Sequence, residues 1–146
     1  MHICIINRQK VLKIPVHPLK KIVRFILEDV LKTTCAQVDI HFVSKPAISK
    51  LHKTYFNDPT PTDCISFPMD QEILGSVFVC PEVAQDYAKS KGLCPHRETI
   101  LYVIHGLLHL LGYDDISQKE RTRMRKKERL CLKKLDENQW LQYLCP

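Results

Sequence analysis

Apolar positions along the chain change period several times, and each change marks an element. Ile3 to Ile6 is a short apolar run of strand character. From Leu19 to Leu31, apolar residues recur at i, i+3, i+4 and i+7, the stripe of an amphipathic helix, with Pro18 at its expected start. Val38, Ile40 and Phe42 alternate with Asp39 and His41, the period of a half-buried strand. Ser44 then stands as a helix cap ahead of Lys45-Pro46, for a helix running to about Tyr55. Asn57 to Asp63 holds two prolines among cap-forming residues and reads as loop.

Cys64 to Phe67 is a second short apolar run, stopped by Pro68, and Gly75 to Val79 follows as the next strand. Pro81 opens a short helix that ends near Gly92. Pro95 opens another, apolar nearly all round from Ile100 to Leu111 and closed by Gly112, a residue free to take the left-handed position after a helix. A last helix follows Ser117. The order β-α-β-α-β-β-α-α-α, without repeat or linker, predicts one α+β domain over residues 1–146. It would have a mixed sheet of about four strands packed with about five helices, the order alone leaving individual strand directions open.

Composition changes this picture little. With 45% apolar and 26% charged residues in 146, the chain is of globular type and long enough to bury a core without covalent staples. Its seven cysteines are odd in number, scattered, and never spaced C-x-x-C, so the reading is of reduced thiols used as small hydrophobes. The first thirteen residues lack the apolar core of a secretory signal, and no uncharged stretch reaches the roughly 18 residues of a membrane span. A cytoplasmic protein with no membrane partner is expected.

Charge adds more. The formal net charge is +6, but residues 1–32 carry +5, residues 33–118 carry −4, and residues 119–134 alone carry +7 from nine bases and two acids. A charge run is ordinarily a solvated helix face. One this steep also matches a phosphate backbone, a contact independent of sequence and sensitive to salt. Arg121, Arg125, Lys126 and Arg129 are the candidate RNA-binding residues. The run has no interleaved aromatics, so base stacking is not expected from it.

His105-Gly106-Leu107-Leu108-His109 carries the chemistry. Histidines four apart share one helix face, and on an otherwise apolar helix they need hydrogen-bond partners or a metal. Gly112 can turn the chain so that Asp114 or Asp115 approaches the same point. Two histidines and a carboxylate suit one catalytic Zn2+ ion with a fourth position left for water, at the end of a buried central helix. A zinc protease of the H-E-x-x-H type would have its general base at position 106, which here is Gly106, so a protease is disfavoured. Thr62 and Asp63 have the chemistry of turn and cap residues as well as of site residues.

The chain resembles the YbeY family of bacterial rRNA-maturation endoribonucleases. The family pattern H-G-x-L-H-L-x-G-Y-D-H is matched from His105 to Asp114, and P-T-D-V-L-S-F-P by Pro61 to Pro68. Leu74-Gly75-Ser76-Val77 looks like the family's L-G-D-I strand. The resemblance implies a zinc site on His105, His109 and the position of the third family histidine, here Asp115, with Asp114 the lesser substitute. It places the Thr62–Ser66 segment beside the metal cleft, and it sets Phe56 where the family often has an arginine that engages RNA phosphate. The catalytic group beyond the metal and its water is therefore unassigned, and Lys53 or a base of the terminal helix would have to replace that arginine.

The function implied is a single-strand-specific, metal-dependent endoribonuclease in late 16S rRNA 3′-end maturation and 70S ribosome quality control. Its partners would be ribosomal RNA and the ribosome, with no organic cofactor. The alternative is a ribosome-associated assembly factor with a structural metal and little nuclease activity, which Phe56 and Asp115 favour.

Overall fold

Four strands form where the apolar runs place them, each slightly longer than its apolar core. In the computed structural model, which describes residues 1–70, 72–142, 144 and 145, these are β1 (His2–Asn7), β2 (Gln37–Phe42), β3 (Cys64–Pro68) and β4 (Ile73–Val79). They make one sheet in the order β1-β2-β4-β3, with β1–β2 and β2–β4 parallel and β3–β4 antiparallel. The mixed sheet expected from the sequence is thus present. Its parallel pairs are the ones separated by helices, and its antiparallel pair is a hairpin whose turn is held by Asp70 Oδ1, which accepts from the Glu72 and Ile73 N–H groups.

The helices are α1 (Val16–Arg24), α2 (Lys45–Phe56), α3 (Pro81–Lys91), α4 (Pro95–Leu110) and α5 (Gln118–Glu137). α1 begins two residues before Pro18, which the first turn tolerates because its N–H groups have no intrahelical partners there. It continues as a wider, π-helical turn over Phe25–Val30, which keeps Ile26 and Leu27 fully buried. Ser44 caps α2 through the Ala47 N–H, and Asn57 closes it with a left-handed residue. A capping box of Ser117 and Glu120 starts α5.

The register sorts the sheet into two faces. Val38, Ile40 and Phe42 of β2 stand beside Gly75, Val77 and Val79 of β4, all on the face that packs against α1 and α4. The other face is covered only in part, by α2 over Ile65 and Phe78. α4 is the central helix: Ile100, Val103, Ile104, Leu107 and Leu108 are 2% exposed or less, so it contacts the core on nearly every side. This burial is why its sequence has lost amphipathic character.

Gly106 lies where α4 comes closest to the sheet. A Cβ there would collide with the Val77 side chain, and the Ser66 hydroxyl on β3 donates to the Gly106 carbonyl at 2.8 Å. The glycine that displaces a protease's glutamate is therefore a packing requirement of this sheet.

One expectation is corrected. Cys94 and Cys145 are joined by a disulfide across 51 residues, tying the C-terminal tail to the start of α4, while Cys4, Cys35, Cys64, Cys80 and Cys131 are free. Spacing along the chain gave no sign of this, because only the folding-back of residues after α5 brings Cys145 to Cys94.

Replacing Gly106 tests the close approach. Gly106→Ala is expected to lower stability by about 1–3 kcal/mol through overpacking, read as a lower midpoint in guanidinium unfolding. An unchanged midpoint would show that α4 does not need this contact.

Candidate metal centre

The site grows out of the seating of α4. With Gly106 and its neighbours turned to the sheet, the helix presents His105 and His109 at the surface, their side chains 20% and 26% exposed. Their rings stand edge to face, 4.6 Å between centres. Gly112, with φ of +96°, adopts a backbone that only glycine takes easily, and it turns the chain from α4 towards α5. That turn returns Asp115 to the histidines.

Three donor atoms converge. His105 Nε2 and His109 Nε2 are 3.1 Å apart, and Asp115 Oδ2 is 3.4 Å from the first and 3.5 Å from the second. Ligands tetrahedrally arranged about zinc at its usual bond lengths lie about 3.3–3.6 Å from one another. The two separations to Asp115 fall in that range and the histidine pair lies slightly inside it, so the residues present fit a metal ion with a small spreading of the two imidazoles. Asp115 therefore stands where the resemblance requires a third ligand, its shorter side chain notwithstanding. Asp114 does not join the group; its carboxylate accepts from the Asp115 N–H and fixes the turn.

Glu128, on α5, is the residue that the sequence reading missed. Its Oε1 lies 2.7 Å from His105 Nδ1, and its side chain is only 15% exposed. A carboxylate at that distance accepts a hydrogen bond from the Nδ1–H, which keeps the proton on Nδ1 and leaves the Nε2 lone pair free to ligate. Burial alone would lower the His105 pKa, but the Glu128 bond and charge, with Asp63 and Asp115 behind them, raise it. The signal available in sequence was one of only two acids in the run of nine bases.

The upstream segment also reaches the site. Asp63 and Cys64 offer donor atoms within 4.8 Å of His105, while Asp63 Oδ1 accepts from the Cys64 N–H at 2.7 Å and from the Thr62 hydroxyl at 3.2 Å. Asp63 thus acts as a turn residue and borders the cleft at once. Burial, with Asp63 as the nearest charge, holds the Cys64 thiol well above its ordinary pKa and so protonated. Ser66 is committed to Gly106 and serves packing.

The four candidate RNA-binding residues divide. Arg121 and Arg125 line a cavity of about 150 Å³ together with His105, Asp115 and Glu128. Arg121 also donates to the Ile116 carbonyl at 2.6 Å, holding the ligand turn. Lys126 and Arg129 line a different groove on the same helix. Phe56 is 57% exposed at the end of α2, near His52, and contributes no charge. Two terminal-helix bases stand at the cleft instead.

Comparison with known proteins bears on the chain as a whole. The family described as Endoribonuclease YbeY matches residues 4–136. Endoribonuclease YbeY of Protochlamydia amoebophila is 48% identical over 128 residues, 84% of this chain and 85% of that protein. The protein of the same name from Chlamydia felis is 36% identical over 140 residues, 89% of this chain and 88% of the other. A solution structure of a Thermotoga maritima protein superposes with a TM-score of 0.63 at 25% identity, covering 94% of each chain.

Two substitutions separate ligand from support. Asp115→Ala is expected to lower the bound metal per chain, measured by elemental analysis of purified protein, whereas Glu128→Gln should keep the metal but bind it about 10–100-fold more weakly. Unchanged stoichiometry in Asp115→Ala would remove Asp115 from the ligand set.

Proposed function

We propose that this chain, which belongs to the Endoribonuclease YbeY family, is a single-strand-specific, metal-dependent endoribonuclease of late 16S rRNA 3′-end maturation and ribosome quality control. It would act as one domain over residues 1–146, in the cytoplasm, where a ribosomal substrate is found. The supporting observation is the convergence of His105, His109 and Asp115 donor atoms within 3.5 Å of one another, in a cleft that two arginines share.

Two imidazoles and a carboxylate form the donor set of a hydrolytic zinc, so zinc is the proposed ion. When bound, the metal supplies Lewis-acid polarisation of a phosphoryl oxygen and a nucleophile at neutral pH. The chain's own groups do the rest. Glu128 holds the proton on His105 Nδ1 and so orients the ring. Arg125, and Arg121 insofar as it is not occupied by the Ile116 carbonyl, present guanidinium groups to a phosphodiester, taking the part of the arginine replaced by Phe56. Met124, fully buried between them in sequence, anchors that face of α5 to the core.

Phe56 favours a second reading, an assembly factor that holds RNA without cutting it. One experiment decides. Zinc-reconstituted protein is incubated with RNA spanning the 3′ end of 16S rRNA, beside His109→Ala and a chelated sample. Cleavage that falls to background in both controls supports the nuclease. RNA binding without cleavage in the reconstituted protein supports the factor, and cleavage undiminished in His109→Ala would overturn the metal-centred reading.

A further inference from the structure

The bases of α5 do not all serve the metal cleft. Arg121 and Arg125 open onto it, but five bases between Arg123 and Lys133 line a second groove of about 620 Å³ whose floor is Tyr113 and Leu130. Positions 123, 126, 127, 130 and 133 are spaced i, i+3, i+4, i+7 and i+10, so they form one continuous stripe of the helix. From 123 to 133 that stripe rises about 15 Å, room for about four phosphates at stacked spacing. Among the described residues, no carboxylate lines the groove.

Tyr113 gives the groove its character. It comes from the turn after α4, four residues beyond His109 and two before Asp115. Its ring is half-buried against the core, with the Arg123 guanidinium 5.9 Å from its centre. The same pair walls an adjoining cavity of about 290 Å³ that runs along Gly112 and Asp114 towards the ligand turn. The aromatic that the basic run lacks in sequence is therefore supplied by tertiary structure.

We propose that this groove is an auxiliary binding site for single-stranded RNA, in which Tyr113 stacks an unpaired base and Arg123, Lys127 and Lys133 take the neighbouring phosphates. The proposal rests on the endoribonuclease reading and assigns it a substrate track outside the cleft. Charge complementarity selects a polyanion. The apolar floor selects a single strand, because a base already stacked within a duplex cannot offer its face to a ring. Tyr113, which would hold the strand, lies two residues before Asp115 in the chain.

The test measures binding by fluorescence anisotropy, using a labelled oligouridylate and an RNA duplex, in full-length protein carrying His109→Ala so that the RNA stays intact. Tyr113→Leu is expected to weaken oligouridylate binding about 5–100-fold with the salt dependence unchanged, and Tyr113→Phe to restore it. Lys127→Gln with Lys133→Gln should reduce the slope of log affinity against log salt by about 1.4. Duplex binding should respond to the lysines and not to Tyr113→Leu. Because Tyr113→Leu also disturbs core packing, photo-cross-linking of the unmodified protein to 4-thiouridine-containing oligouridylate supplies an independent readout, with the adduct expected on the peptide containing Tyr113. Tyr113→Phe as weak as Tyr113→Leu, equal losses on duplex and single strand, or an adduct absent from that peptide would each overturn the site. Intact cleavage by the reconstituted protein in that case leaves the nuclease reading standing, whereas failure of the unmodified protein to bind oligouridylate would remove both.

Discussion

The depth at which α4 sits on the sheet governs the rest of the molecule. Any side chain at position 106 would push the helix away from Val77, and the hydrogen bond from Ser66 fixes its rotation as well as its height. Rotation matters more for function. Because His105 flanks Gly106 and His109 follows three residues on, the rotation that buries Gly106 leaves both imidazoles at the rim. A helix raised by a methyl group's thickness would also loosen Leu107 and Leu108, which are wholly buried on the same core. Packing and ligand placement are thus one constraint, carried by a residue without a side chain.

The second joint is between α4 and α5. A helix bearing +7 over sixteen residues repels itself, and bringing it against an otherwise acidic region relieves that cost. Glu128 makes the contact specific: it is the acid that α5 directs inwards, onto His105 Nδ1. Met124, Cys131 and Leu135 bury the same side of α5, at 1%, 0% and 0% exposure, so the helix cannot rotate to expose Glu128 without exposing them. The bases follow from this registration. One flank of α5 carries Arg121 and Arg125 to the candidate metal cleft, and the other carries Lys126, Lys127 and Lys133 to the groove over Tyr113.

Much of the fold was legible because it is written in local periods. Alternation in Val38–Phe42 and the prolines at 46, 81 and 95 mark elements within one or two residues of where they lie, since each reflects a property of the chain over a few residues. The two candidate metal-binding histidines were legible for the same reason, helical spacing being local. What escaped was long-range. Glu128 is 23 residues from His105, Cys145 is 51 from Cys94, and Tyr113 reaches the basic stripe only after Gly112 has turned the chain. Each of these depends on how helices pack, which no window of the sequence contains. The four basic residues taken as one surface show the same limit, because residues 121, 125, 126 and 129 span two flanks of a helix.

Asp115 shows how local and long-range structure combine. An aspartate reaches less far than a histidine, so a site that exchanges one for the other must bring its backbone closer. Three devices hold that segment in: the left-handed turn at Gly112, the Asp114 carboxylate on the Asp115 N–H, and Arg121, which reaches back from α5 to the Ile116 carbonyl. The Ser117–Glu120 capping box then starts α5 at once, leaving the segment little slack. As a third ligand, Asp115 would also change the charge of the centre, adding to Asp63 and Glu128 nearby. In the proposed nuclease that extra negative charge would weaken the pull of the centre on a phosphodiester, and Arg121 and Arg125, which line the same cavity, would offset it.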